Sequence, residues 1–127
     1  MKKIFLIIAL LSLVGCKPDS EKAITLAKKE IADSIRDPDS AKFRHLRFIQ
    51  KEETTEGSVN GFVCGQINGK NGFGAYEGYS PFFIEIHMKS KGIFSTAVKY
   101  SVFDKMISTN PDDQTSLSIR EHCGSDE

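Results

Sequence analysis

The chain has 127 residues, 39% of them hydrophobic, and 17 Lys+Arg balance 17 Asp+Glu, so its formal charge is zero. That length fits one domain rather than two. The apolar content and nine Phe exclude a disordered chain. With no basic excess, the electrostatic footprint of a nucleic-acid binder is missing.

The first segment reads as an address. Lys2 and Lys3 precede an apolar run over residues 4–14 in which only Ser12 is polar. Eleven residues are too few to cross a hydrocarbon core about 30 Å thick as a helix, but they match the apolar region of a secretory signal. The run ends in Leu13-Val14-Gly15-Cys16. This ending resembles the lipobox of bacterial lipoproteins. The resemblance implies cleavage after residue 15 and acylation of Cys16, which then becomes the first mature residue. Lys17, in place of the Asp common in lipoproteins kept at the inner membrane, implies an outer-membrane anchor facing the periplasm. Each buried methylene contributes roughly 0.8 kcal/mol, so two or more chains hold a protein stably without a spanning helix. Without residues 1–15 the chain keeps 112 residues, with 15 basic and 17 acidic.

Residues 16–19 form a short tether, and residues 20–123 form a single domain. Asp19 or Ser20 is placed to cap a helix. Ile24, Ala27, Ile31 and Ile35 recur at spacings of three and four, the apolar stripe of a helix over about 20–36. Asp37-Pro38-Asp39-Ser40 breaks it. Asp37 is also placed to cap a short turn with Pro38 in its first position.

The period then becomes alternating. Residues 43–50 read as a strand with Leu46 and Phe48 on one face. Residues 52–58 form a polar turn containing Gly57. Residues 59–68 read as a second strand, with Val59, Val63 and Ile67 opposed to Phe62 and Cys64. Residues 68–81 form a loop. In residues 81–89, the clearest strand, Phe82, Ile84, Ile86 and Met88 alternate with Phe83, Glu85, His87 and Lys89. Ser90-Lys91-Gly92 is a hairpin turn. The returning strand covers 93–102, with Phe94, Thr96, Val98, Tyr100 and Val102 on one face. Residues 101–108 fit either a strand end or a helix. After a break at Asn110-Pro111, residues 115–122 form a short helix that delivers Cys123, and 124–127 fray. The sum is α+β: an N-terminal amphipathic helix packed on an antiparallel sheet of about four strands, and a short C-terminal helix. Both helices are expected on one face of the sheet.

With Cys16 assigned to lipid, Cys64 and Cys123 remain as an even pair in an oxidising compartment. One disulfide between them closes a loop of about 59 residues, worth on the order of 4 kcal/mol in the chain-entropy account. The alternative is a reactive thiol at Cys64. That residue sits in an apolar run with only Lys70 as a nearby base, whereas reactive thiols need an electropositive site.

Catalytic templates fail at specific positions. Gly69-Lys70 has Cys64 where a phosphate-binding loop needs Gly and Asn71 where it needs Ser or Thr. Gly72-x-Gly74 meets Glu77 where a dinucleotide fingerprint needs its third Gly. Gly78-x-Ser80-x-Phe82 puts a bulky ring where a nucleophile elbow needs Gly. His45, His87 and His122 have no helical metal-ligand spacing. Strand neighbours would bring His45 and His87 to Glu85, the constellation on which a hydrolase reading rests. The pairs Asp37/Asp39, Glu52/Glu53 and Asp112/Asp113 fall in turns or caps, where carboxylates bond local backbone. No metal and no cofactor are expected.

The loop over residues 68–81 stands apart. It holds Gly69, Gly72, Gly74 and Gly78, with Phe73, Tyr76 and Tyr79 between them. Loops this long and this aromatic are uncommon. Two readings are open: the rings fold back on the sheet, with glycines permitting the bends, or they present an aromatic surface, since rings bury area at low entropy cost. Asp37-Pro38-Asp39-Ser40-Ala41-Lys42-Phe43 and Val63-Cys64-Gly65 through Lys70-Asn71-x-Phe73-Gly74-x-Tyr76-x-Gly78-Tyr79 resemble a small group of bacterial and prophage-borne proteins of unknown function. That resemblance implies a preserved loop pattern and no activity.

The expectation is a non-enzymatic envelope lipoprotein. It would bind an envelope protein or cell-wall component through Phe73, Tyr76 and Tyr79, with Lys70 and Glu77 adding polar contacts. The alternatives are a prophage-type exclusion factor or inhibitor of an envelope protein, and a hydrolase with an unrecognised site.

Overall fold

A computed structural model describes residues 19–91 and 98–124. Cys16, the lipobox, Gly92, Phe94 and Thr96 lie outside the described residues. Helix α1 (Ser20–Ala32) leads into a four-stranded antiparallel sheet, β1 (Lys42–Glu53), β2 (Ser58–Asn68), β3 (Ser80–Ser90) and β4 (Val98–Ile107), and α2 (Gln114–Cys123) closes the chain. The strands lie side by side in chain order, a meander with β1 and β4 at the edges.

Helix α1 starts where Asp19 Oδ1 accepts the Lys22 N–H at 2.8 Å, satisfying one of the free amides of the first turn. It ends at Ala32, four residues short of the expected boundary. Beyond it the backbone tightens into three-residue turns, with Ser34 N bonded to Ile31 O and Ile35 N to Ala32 O. The Ser34 hydroxyl donates to the Glu30 carbonyl at 2.9 Å, which draws that group away from a continuing ladder. Pro38 then opens a single 3-10 turn, Pro38–Ser40.

The alternation of β2 and β3 divides the core in two. Val59, Val63 and Ile67 join Phe82, Ile84, Ile86 and Met88 against Ala23, Ala27 and Ile31 of α1. Phe62, Cys64 and Phe83 face the other way and pack with Ile119 and Cys123 of α2. The expectation of both helices on one face is therefore corrected: they cover opposite faces. The cause is the parity of Cys64. Its side chain lies opposite Val63, and its disulfide to Cys123 (Cα–Cα 5.9 Å) holds α2 on that side. Arg47 adds a hydrogen bond from its guanidinium to the Cys123 carbonyl at 2.8 Å, a cation on the free acceptors of the helix end.

The ladders carry three register shifts, at Arg44/Arg47, Gln50/Glu52 and Glu85/Ile86, and the first and last bear on which residues face inward. On β1, Arg44 pairs with Gln66 but Arg47 pairs with Cys64, so one residue is extra. His45 takes φ +56° there. The shift places Phe43, Leu46 and Phe48 all on the α1 side, which strict alternation would forbid. On β4, Glu85 pairs with Asp104 and Ile86 with Val102, leaving Phe103 unpaired. Val98 and Tyr100 share one face, as their alternation predicts, and it is the face toward α1, whereas Val102 sits at the exposed edge. Residues 101–107, ambiguous from the sequence, are strand.

Candidate functional site

The glycine-aromatic segment joins β2 to β3 at the end of the sheet where β1 begins. It is not slack. Lys70 and Tyr76 form an antiparallel bridge, closing a miniature hairpin around Asn71. The Asn71 side chain accepts the Phe73 N–H at 2.9 Å and the Ala75 N–H at 3.1 Å, and its amide donates to Glu77 Oε1 at 3.0 Å. Asn71 N donates to Ala75 O, and Gly74 N to Asn71 O. Gly74 occupies φ +77°, a conformation that glycine adopts without strain. At Gly72 the Arg36 guanidinium packs close to the backbone, 3.0 Å from where a β-carbon would sit.

The two readings of the rings divide residue by residue. Phe73, at the tip, is 98% exposed. Tyr76 folds back: its hydroxyl donates to the Ser40 carbonyl at 2.8 Å, and the ring stays 37% exposed. Lys42 Nζ stands 4.4 Å from the Tyr76 centroid and Lys70 Nζ stands 5.7 Å from it. The Arg44 guanidinium lies 3.9 Å over Tyr79 while its Nε donates to Gln66 Oε1 at 2.6 Å. Cations are drawn to the negative faces of these rings.

Ser40 joins the two segments that resembled the bacterial and prophage-borne group. Its hydroxyl donates to the Asp37 carbonyl at 2.7 Å and accepts the Lys70 N–H at 2.9 Å. Its carbonyl takes the Tyr76 hydroxyl. Segments some thirty residues apart in sequence thus form one surface. Beside it runs a groove of about 490 Å³, lined by Ile35, Arg36, Lys70, Glu77, Tyr79 and Ile107 among others. Of the residues forming this surface, the sequence reading singled out Phe73, Tyr76, Tyr79, Lys70 and Glu77. It missed Ser40, Asn71, Arg36, Lys42 and Arg44. The Asp-Pro-Asp-Ser-Ala-Lys-Phe string was the available signal for Ser40 and Lys42.

The histidine constellation does not assemble. His45 sits in the β1 bulge beside the pairs Arg44–Gln66 and Arg47–Cys64. His87 pairs with Asn60 at the other end of β2. His87 Nε2 lies 3.8 Å from Glu85, and its ring stacks on Phe103 at 3.8 Å. His122 stacks on Phe83 and meets Phe62 edge-on. Among the described residues no group of three His, Cys, Asp or Glu is placed to hold a metal. Ser108, Ser116 and Asp113 lie close together, and besides bonding one another they tie down the backbone at the start of α2. Asp113 Oδ1 accepts the Ser116 N–H at 2.7 Å and lies 3.1 Å from the Ser108 hydroxyl, and both hydroxyls reach the Asn110 carbonyl. That is the cap of α2.

No family model, no curated protein and no solved structure matches this chain.

Proposed function

We propose that this chain is a non-enzymatic envelope lipoprotein, held at a bacterial membrane by lipid on Cys16, whose domain binds a protein partner through the loop around Phe73. One observation carries the binding half of the reading: a fully exposed aromatic ring on a loop fixed by five Asn71 hydrogen bonds and the Ser40 junction. An exposed ring gains nothing for folding, whereas on a braced loop it is an anchor whose ordering cost is already met. The lipid half rests on the lipobox resemblance at Leu13-Val14-Gly15-Cys16.

Both halves have direct tests. Cys16→Ser should release the protein from membranes or leave it unprocessed, and normal fractionation of that variant would end the lipoprotein reading. Benzoylphenylalanine in place of Phe73, activated by light in living cells, should trap an envelope protein identifiable by mass spectrometry. Absence of any adduct from positions 73, 76 and 79 would remove the loop as the binding surface.

A further inference from the structure

We infer that the loop around Phe73 faces away from the anchoring membrane and takes a protein region that lies outside the bilayer, an inference that rests on the lipid at Cys16 and on the loop being the binding surface. An exposed ring on a loop tip, with Lys42 and Lys70 nearby, is also what a segment dipping into a bilayer presents. The course of α1 separates the two. The turn after α1 lies against the loop: Ile35 packs on Gly69, the Arg36 guanidinium on Gly72, and the Ser40 hydroxyl accepts the Lys70 N–H. From there the helix leads back over the sheet. Glu30, two residues before the helix end, accepts the Tyr100 hydroxyl. Tyr100 belongs to the cross-strand row Glu53, Val59, Met88, Tyr100, which lies beside the 54–57 turn at the end of the sheet away from the loop. The ten residues of helix before Glu30 carry its start about 15 Å further along that course. The first turn of α1 and the loop are therefore at opposite ends of the domain.

The length of chain between the lipid and the helix decides which end meets the membrane. Asp19, the cap of α1, is three residues after Cys16. Three residues reach at most about 11 Å, so lipid on Cys16 holds the helix start close against the bilayer surface. Turning the domain over, loop downward, needs the helix start lifted by at least the length of α1, about 20 Å. That is beyond the reach of the tether. Laying the domain down on the α1 side gains nothing either. The exposed residues of α1 are Ser20, Glu21, Thr25, Lys28 and Lys29, whereas a helix that rests in the interface needs an apolar face. The domain thus stands on its helix start, and Phe73 is carried into water at the far end. There the ring is an anchor for a protein region outside the bilayer.

The test places benzoylphenylalanine at Glu21 or at Phe73 of the full-length protein, activated by light in living cells whose phospholipids carry a radioactive label. Position 21 should label lipid. Position 73 should give at least about tenfold less lipid adduct, since the helix holds it roughly 20 Å away. It should instead give a protein adduct that mass spectrometry maps to a region outside the membrane. Inserting about twenty Gly/Ser residues after Lys17, a chain spanning roughly 25 Å, should lower the lipid adduct at position 21, because the tether alone keeps it there. Lipid adducts from position 73 comparable with those from position 21 would put the loop on the bilayer and overturn the inference. A protein adduct in a membrane-embedded segment would overturn it too, as would lipid labelling at position 21 that ignores the longer tether or is missing from the start. The readings beneath it fail differently. Normal fractionation of Cys16→Ser removes the lipid anchor, and absence of any protein adduct from positions 73, 76 and 79 removes the loop.

Discussion

Phe73 and Tyr76 are three residues apart and have opposite energetics. Phe73 touches little, so Phe73→Ala should leave stability within about 0.5 kcal/mol while abolishing partner capture. Tyr76→Phe removes the hydroxyl donated to Ser40 and keeps the ring under Lys42 and Lys70. It should cost about 1 kcal/mol, the usual net worth of one hydrogen bond, read as a shift in the urea midpoint. Tyr100 gives a pH signature. Its hydroxyl donates to Glu30 Oε1 at 2.6 Å, and that bond, followed by burial, holds its pKa above the ordinary value of 10.0. A group raised in the folded state stabilises fully below its unfolded pKa, and the contribution is lost as pH rises through the folded one. Stability should therefore drop above pH of about 10, and Tyr100→Phe should flatten that alkaline limb in thermal melts across pH.

At the scale of elements, β2 is where the fold is most constrained. Gly61 sits against the Ile49 carbonyl and the Phe48 ring, with no room for a β-carbon. Gly61→Ala should cost more than about 2 kcal/mol by forcing β1 and β2 apart. The α2 layer depends on one covalent link and a small cluster around Ile119. Cys64→Ala and Cys123→Ala should each lose stability on the order of 4 kcal/mol or less, and the double variant should add little, because the two changes remove one bond. Additive losses in denaturant titrations would contradict that coupling. Helix α1 and the strands around it were legible because their periods are clean: three and four in residues 20–32, two in residues 80–90. The bulges at His45 and Phe103 were not. One extra residue in a strand leaves composition unchanged and is revealed only by the partner strand.

Taken whole, the molecule has a packed face under α1 and a second face only partly covered by α2. Phe103, 64% exposed on His87, marks the uncovered part. The putting together of residues 37–43 with the loop is a property of this scale, since the sheet meander brings the start of β1 beside the end of β2. The two functional alternatives within the binding class also separate here. A partner in envelope assembly predicts that deletion weakens the envelope barrier. An exclusion factor predicts altered phage sensitivity with the barrier intact, and parallel detergent-sensitivity and phage-plating assays read the two.

By itself the sequence determined the α+β class, the antiparallel four-stranded sheet, the pairing of Cys64 with Cys123, and the loop as the segment needing explanation. These follow from local period, residue parity and cysteine number, which a linear chain carries openly. Only the tertiary structure decided that the helices lie on opposite faces, that Ser40 and Asn71 fix the loop, and that tyrosines fold back under lysine and arginine while Phe73 does not. Each of those depends on contacts between residues distant in the chain. Their energies arise from burial and charge placement that exist only once the strands are side by side.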